Sequence, residues 1–251
     1  MTKKNPEAKW FGLRRVAPEE KTGLVRDVFS SVACRYDLMN DLMSGGLHRL
    51  WKDALIRRMN PKAGMTLLDL AGGTGDIALR LHRRTEGKAA IIVCDVNPEM
   101  LKQGRRKVLD HGVVSGITFV EGNAEDLPFK DRSMDMVSIA FGLRNVTRID
   151  TALSEAVRVL KKGGRFFCME FSPGVAPFLK PVYEKYCATV LPFLGEHVAH
   201  DRAAYQYLAE SIRKFPPQKR LAERMEKAGF TSVKWTNLTG GIAVIHEGYK
   251  V

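Results

Sequence analysis

Residues 67–76 read Leu-Leu-Asp-Leu-Ala-Gly-Gly-Thr-Gly-Asp. The apolar run from Met65 to Leu70 predicts a strand, the glycines predict a tight turn, and the amphipathic stretch Ile77–Leu81 predicts a helix. A chain that turns this sharply with its backbone against a ligand needs residues without a Cβ, which Gly72, Gly73 and Gly75 supply. Such a turn aims backbone N–H groups at whatever lies above it.

Outward from this unit the same alternation recurs. Ala89–Cys94, Ile117–Val120, Met134–Ala140 and Arg165–Met169 read as further strands. Asn97-Pro98-Glu99 reads as a capped helix start, and Thr147–Leu160 as a helix stopped by Lys161-Lys162-Gly163-Gly164. Strands and helices in alternation predict a doubly wound α/β sheet. Phe230–Trp235 and Ile242–His246, joined through Gly240-Gly241, predict an antiparallel pair that closes it.

Two carboxylates define the ligand. Asp69 lies inside the strand end, ahead of the glycines, where it repels a diphosphate and favours an ammonium or a sulfonium. Asp95 ends the next strand, near the spacing at which an acid accepts hydrogen bonds from ribose hydroxyls. Together they point to S-adenosylmethionine and not to NAD. Asn123, after the third strand, is read either as a group for the adenine edge or as a turn asparagine. The fourth strand delivers Arg144 and Asn145 to the same edge, facing a substrate over the cofactor.

With 251 residues the chain can bury one substantial core, so a single domain is expected. Its four cysteines lack C-x-x-C spacing, which argues against a zinc site or a disulfide framework and fits a reducing, cytoplasmic setting. A net charge of +12 calls for an anionic partner, but the basic residues are dispersed. Transient contact with anionic membrane lipid and a generally basic soluble protein are therefore equal readings, and a nucleic-acid stripe is disfavoured.

The flanks carry less signal. Residues 1–22 read as a flexible arm, residues 23–60 as N-terminal helices, and 171–215 as a lid or substrate-side insertion. For the proline- and aromatic-rich part of that insertion, a dimer interface or a core helix is an equal reading. His197 and His200 resemble half a metal site without further ligands, so no metal is expected. Tyr36, Asp37, Asn40, His48 and Trp51 could handle a phenolic ligand, or Trp51 could be core with Tyr36 and His48 in local hydrogen bonds.

Several longer patterns carry a family likeness: Tyr36-Asp37-x-Met39-Asn40-x-x-Met43-Ser44-x-x-x-His48-x-x-Trp51; Arg158-Val159-Leu160-Lys161-x-Gly163-Gly164-x-Phe166-x-x-Met169-Glu170-x-Ser172; and Phe141-Gly142-Leu143-Arg144-Asn145-Val146-Thr147. With Asp201-x-x-x-Tyr205-x-Tyr207-Leu208-x-Glu210-Ser211-Ile212 and Asn237-Leu238-Thr239, they run from about Phe11 to the C-terminus. In these the chain resembles the quinone-biosynthesis C-methyltransferases that methylate polyprenyl-benzoquinol and demethylmenaquinol.

The resemblance implies a class I methyltransferase, Rossmann-like, with a mostly parallel seven-stranded sheet, an antiparallel final strand and an N-terminal helical extension. It implies S-adenosyl-L-methionine as cofactor, contacted by Thr74, Asp95, Asn123 and Ala124 beside Asp69, Gly73 and Gly75 of the turn. Family members often have serine where this chain has Ala140, a departure at one cofactor contact, and Lys162 replaces the usual proline or valine. The implied acceptor is a polyprenylated hydroquinol. Arg144 would steady its phenolate, Asn145 would face the substrate beside it, and Tyr36, Asp37 and His48 would orient the ring or take the proton. The implied setting is cytoplasmic, extending to the inner face of the cytoplasmic membrane, to other quinone-pathway enzymes and to a homodimer. An assembly subunit that binds the cofactor without turnover is the competing reading. A nucleic-acid methyltransferase fits less well, because neither an Asn/Asp-Pro-Pro-aromatic segment nor a nucleophilic cysteine ends the fourth strand.

Overall fold

The computed structural model of the chain describes residues 9–33, 38, 40–41, 44–190 and 202–251; Tyr36, Asp37, His197 and His200 lie outside the described residues. In chain order the elements begin with a hairpin, β1 (Lys9–Phe11) and β2 (Arg14–Val16), followed by α1 (Pro18–Val32) and α2 (Leu47–Met59). Then come β3 (Thr66–Leu70), α3 (Asp76–Arg84), β4 (Ala90–Asp95), α4 (Pro98–Asp110), β5 (Ile117–Glu121) and β6 (Met134–Ala140). The second half holds α5 (Ile149–Val159), β7 (Leu160–Phe171), α6 (Lys180–Lys185), α7 (Arg202–Lys214), α8 (Gln218–Ala228), β8 (Phe230–Leu238) and β9 (Ala243–Lys250).

The sheet has seven strands in the order β5-β4-β3-β6-β7-β9-β8. Pairings from β5 through β7 are parallel, and β9 runs antiparallel to both β7 and β8. From β3 the chain winds outward to β4 and β5, then returns to place β6 on the other side of β3. That reversal is the switch point at which ligands bind in open α/β sheets.

The central strands are buried on both faces, as a parallel sheet covered by helices requires. Leu67, Ile91, Val93, Phe167 and Met169 face one side, where Trp51, Leu55 and Met59 of α2, Ile77 and Leu81 of α3 and Tyr205 of α7 cover them. Leu68, Leu70, Val137, Phe166 and Cys168 face the other, against Leu153 and Ala156 of α5 and Leu221 and Met225 of α8. The start of α4 is capped as its sequence predicts, with the Asn97 side chain accepting from the N–H groups of Glu99 (3.0 Å) and Met100 (3.2 Å).

Three expectations need correction. An arm over residues 1–22 does not hold from Lys9 onward: Phe11 stacks on Tyr207 at 4.5 Å, Glu210 accepts the Leu13 N–H at 3.0 Å, and Val16 is buried. The strand expected from Arg165 begins at Leu160, because β7 bulges between the pairings Met134–Leu160 and Met136–Arg165. The described C-terminal part of the 171–215 stretch, α7, packs into the core, since Tyr205, Leu208 and Ile212 are buried against the sheet.

Candidate functional site

At the carboxyl ends of β3 and β6 the chain leaves the sheet through two left-handed residues, Ala71 (φ 49°) and Phe141 (φ 57°). Non-glycine residues adopt this conformation at a cost of about 1 kcal/mol or more, and it recurs at ligand sites. The two turns touch: a Cβ on Gly142 would lie 2.6 Å from that of Ala71. Beside them opens a cleft lined by Asp69, Gly73, Thr74, Asp95, Asn123, Ala124, Ala140 and Asn145. Of the sequence-predicted residues these eight are brought together.

The turn after β3 is braced from β4. Asp95 Oδ2 accepts the Gly73 N–H at 2.9 Å, and Oδ1 accepts the Asn97 N–H at 2.9 Å. Each carboxylate oxygen retains a lone pair for a hydroxyl. Burial pushes Asp95 up to about 6, while the N–H groups of Asn97, Gly73 and Val96 act the other way. Gly73 has φ 52°, a conformation glycine adopts without penalty.

Asp69 is 1% exposed. Its Oδ1 accepts from the Ser138 hydroxyl at 2.8 Å, and its Oδ2 has no partner among the described residues. Burial raises its pKa to about 7; the Ser138 hydrogen bond opposes this, and the charges of Asp76 and Asp95 add to it. An unpartnered buried carboxylate oxygen on a nucleoside-sized cleft fits a cationic ligand group, which would restore its lost solvation. A Cβ on Gly72 would sit 2.7 Å from this oxygen, so only glycine leaves it open. Asn123 lines the cleft but turns its carbonyl oxygen to the Glu125 N–H at 3.0 Å. The turn reading thus holds for that oxygen, and the amide NH2 and the Ala124 backbone remain for an adenine edge.

Two contributions to the cleft escaped the sequence. One is α1, whose Thr22, Val25, Arg26 and Phe29 form a wall. It is tied down by Lys21 Nζ donating to the Val146 carbonyl (2.9 Å) and by Asn97 Nδ2 donating to the Arg26 carbonyl (3.1 Å) and Ser30 Oγ (3.0 Å). Its amphipathic spacing signals a buried face but not what that face meets. The other is Lys52 on α2, whose Nζ donates to Asp76 Oδ2 at 2.6 Å; Arg80 Nε donates to Asp76 Oδ1 at 3.2 Å and its guanidinium pairs with Asp53. No local motif marks it.

On the acceptor side the structure corrects the reading of Arg144. Its side chain is buried, not part of the cleft lining, and its guanidinium pairs with Glu170 Oε1 at 2.8 Å and bonds the Phe141 carbonyl. A buried guanidinium without a partner is strongly unfavourable, and Glu170, near the end of the neighbouring strand β7, is the acid within reach. Burial raises the Glu170 pKa and Arg144 opposes it. Asn145 does line the cleft, with its Oδ1 accepting from the Tyr207 hydroxyl at 3.0 Å.

Trp51 is core: it packs with Phe141 (6.3 Å) and Phe171 (5.9 Å), and its Nε1–H donates to Thr239 Oγ1 at 2.9 Å. His48 lies outside the cleft lining, buried, with Nε2 bonded to Asp41 Oδ1 at 2.8 Å. Asp41, held down to about 2 chiefly by its hydrogen bond from Arg49, can only accept, so Nε2 carries the hydrogen. His48 Nδ1 has no partner among the described residues, and burial lowers the His48 pKa, leaving the ring neutral near pH 7. No cluster of metal-ligating side chains is present among the described residues.

Sheet order, glycine turn and paired carboxylates together define a class I S-adenosyl-L-methionine-dependent methyltransferase. Solved structures share the fold. A SAM-dependent methyltransferase from Thermotoga maritima superposes with a TM-score of 0.65 at 21% identity, covering 90% of this chain and 100% of that one. A Haemonchus contortus phosphoethanolamine N-methyltransferase, in complex with S-adenosylhomocysteine, gives 0.65 at 15% identity over 90% of this chain and 60% of its own. Residues 15–250 match the model of the ubiE/COQ5 methyltransferase family, and the chain belongs to that family. It is 51% identical to the mitochondrial 2-methoxy-6-polyprenyl-1,4-benzoquinol methylase of Oryza sativa, over 96% of this chain and 88% of the relative. It is equally 51% identical to a ubiquinone/menaquinone biosynthesis C-methyltransferase of Brucella abortus, over 96% of this chain and 90% of the relative.

Proposed function

We propose that this protein methylates a ring carbon of a polyprenyl hydroquinol, a step of ubiquinone and menaquinone biosynthesis. The observation that carries the reading is the unpartnered Asp69 oxygen at the switch point, in a chain half identical to relatives named for that reaction. Bound S-adenosyl-L-methionine supplies a methyl group on a positively charged sulfur. Transfer of that methyl to carbon is an in-line displacement, so the protein contributes alignment and exclusion of water. Asp95 accepts the ribose hydroxyls, Asn123 and Ala124 take the adenine edge, Thr74 and the glycine turn hold the chain between, and Asp69 faces the cationic end. Helix α1 keeps water out.

The acceptor carbon becomes nucleophilic when its neighbouring hydroxyl loses a proton. A quinone ring is electrophilic, so only the reduced acceptor reacts. Asn145, fixed by Tyr207, offers its amide hydrogens to the phenolic oxygen. Arg144 works through position: with Glu170 it holds the loop 141–145 that carries Asn145. Of the sequence-predicted base candidates, His48 is the one among the described residues, with Asp41 fixing its tautomer.

A polyprenyl acceptor resides in a bilayer, so the protein meets a membrane surface. Its net charge of +12 and the exposed Leu38, Leu47, Leu50 and Phe178 support contact with anionic lipid, and no described helix is long and apolar enough to cross a membrane. Sedimentation with vesicles of anionic against zwitterionic lipid checks this contact, with binding to the anionic set only expected at low salt. The reaction itself is tested with the purified protein, labelled S-adenosyl-L-methionine and short-chain demethyl benzoquinol and naphthoquinol, each reduced and oxidised. Label transfer to a reduced acceptor alone is expected; cofactor binding without transfer to any of them would favour an assembly subunit.

A further inference from the structure

The cleft contains one group that the proposed chemistry leaves unused. Lys52 is 5% exposed, a depth at which lysine is rarely found without a task. Residues Trp51, Leu55, Ile56 and Met59 anchor α2 against the sheet, and that packing sets Lys52 on the flank that meets the start of α3. There it lines the same cleft as Asp69, Gly73 and Asp95. Its ammonium carries three donors, and one of them goes to Asp76 at 2.6 Å. Asp76 does not depend on Lys52 alone, because Arg80 Nε also donates to it and Asp76 stands in the first turn of α3, where the helix dipole favours an anion.

The lining therefore presents a buried cation and a buried carboxylate with an unpartnered oxygen, Lys52 and Asp69, close enough that the charge of one acts on the titration of the other. The methionine end of the cofactor is a zwitterion, with one carboxylate and one ammonium. We propose that Lys52 receives that carboxylate while Asp69 Oδ2 takes the ammonium, so the pair reads the amino-acid end of the cofactor as a unit. Among the lining residues described, Arg26 of α1 is the other cation. It is exposed, so water screens its charge and it discriminates less.

The proposal rests on the cofactor assignment, and ligand truncation separates the two. Calorimetric titration is made with S-adenosylhomocysteine, with its decarboxylated analogue, which keeps the ammonium, and with 5′-methylthioadenosine, which lacks the amino-acid end. Wild-type protein should bind S-adenosylhomocysteine at least about tenfold more tightly than the decarboxylated analogue, as a charge-assisted hydrogen bond requires. Lys52→Met should remove that difference and leave both truncated ligands within about twofold of wild type, with the melting temperature of the free protein measured alongside. Asp69→Asn should weaken both ammonium-bearing ligands and spare 5′-methylthioadenosine. Equal affinity of wild type for the first two ligands would overturn the proposal without any variant. So would a uniform loss in Lys52→Met, which would make Lys52 a brace for Asp76, or the same selective loss in Arg26→Met. Failure of wild type to bind S-adenosylhomocysteine at all would overturn the cofactor assignment itself.

Discussion

The wall of the cleft built on β3 and β4 and the one built on β6 and β7 are both polar at their carboxyl ends, yet their charges are partnered differently. On the first wall, Asp69 keeps an oxygen without a partner and Asp95 spends its bonds on backbone N–H groups that shape the turn. On the second, Arg144 Nη1 pairs with Glu170 below the surface, with Arg144 Nε left without a partner among the described residues, and Asn145 is held by Tyr207. The first wall keeps a buried carboxylate oxygen open to a ligand's charge; the second pairs its main charges with each other and presents a positioned amide. Binding and turnover should therefore separate by wall.

The sharpest way to break the contrast is to open the buried pair. Arg144→Met leaves Glu170 as an uncompensated buried charge and should cost about 3–5 kcal/mol of stability at pH 7, most of it recovered in Arg144→Met/Glu170→Gln. Denaturant unfolding of the single and double variants reads this directly; additive losses would mean the pair is not coupled.

On the other wall Asp95→Ala removes both the proposed ribose acceptor and the brace on Gly73. Calorimetry should find S-adenosylhomocysteine bound about 10- to 100-fold more weakly, and no change would remove Asp95 from the site. Asp69 gives a smaller effect that depends on pH. With its pKa raised to about 7 in the free protein, Asp69 must lose a proton to meet a cation, so cofactor affinity should rise from pH 6 to 7.5. The slope has a ceiling of about tenfold per pH unit, and Asp69→Asn should flatten it. The smallest expected effect is Ala140→Ser, which returns a hydroxyl to the cleft lining and should tighten binding by about two- to fivefold.

The same contrast separates what the sequence disclosed from what it withheld. Asp69, the glycines and Asp95 belong to one strand–turn–helix–strand unit, so local spacing sets their geometry and they were legible. The cap at Asn97 is a matter of adjacent residues and was legible for the same reason. Arg144 was placed at the edge of the sheet and read as facing the acceptor, because its pairing with Glu170 lies across a strand pairing that no local pattern encodes. Lys52 with Asp76 and α1 against the cleft are likewise products of helix packing, and the hairpin at Lys9–Val16 is anchored by tertiary contacts, Phe11 stacking on Tyr207 of α7 and the Leu13 N–H donating to Glu210.

The separation of the two walls is tested most directly by Arg144→Lys, which keeps a charge for Glu170 but not the planar guanidinium whose Nη1 donates to both Glu170 Oε1 and the Phe141 carbonyl. Turnover on a reduced acceptor and the dissociation constant of S-adenosylhomocysteine are measured on the same preparation. Turnover should fall at least about tenfold while the dissociation constant stays within about twofold. Unchanged turnover, or a loss of binding equal to the loss of turnover, would contradict a loop whose position serves the acceptor alone.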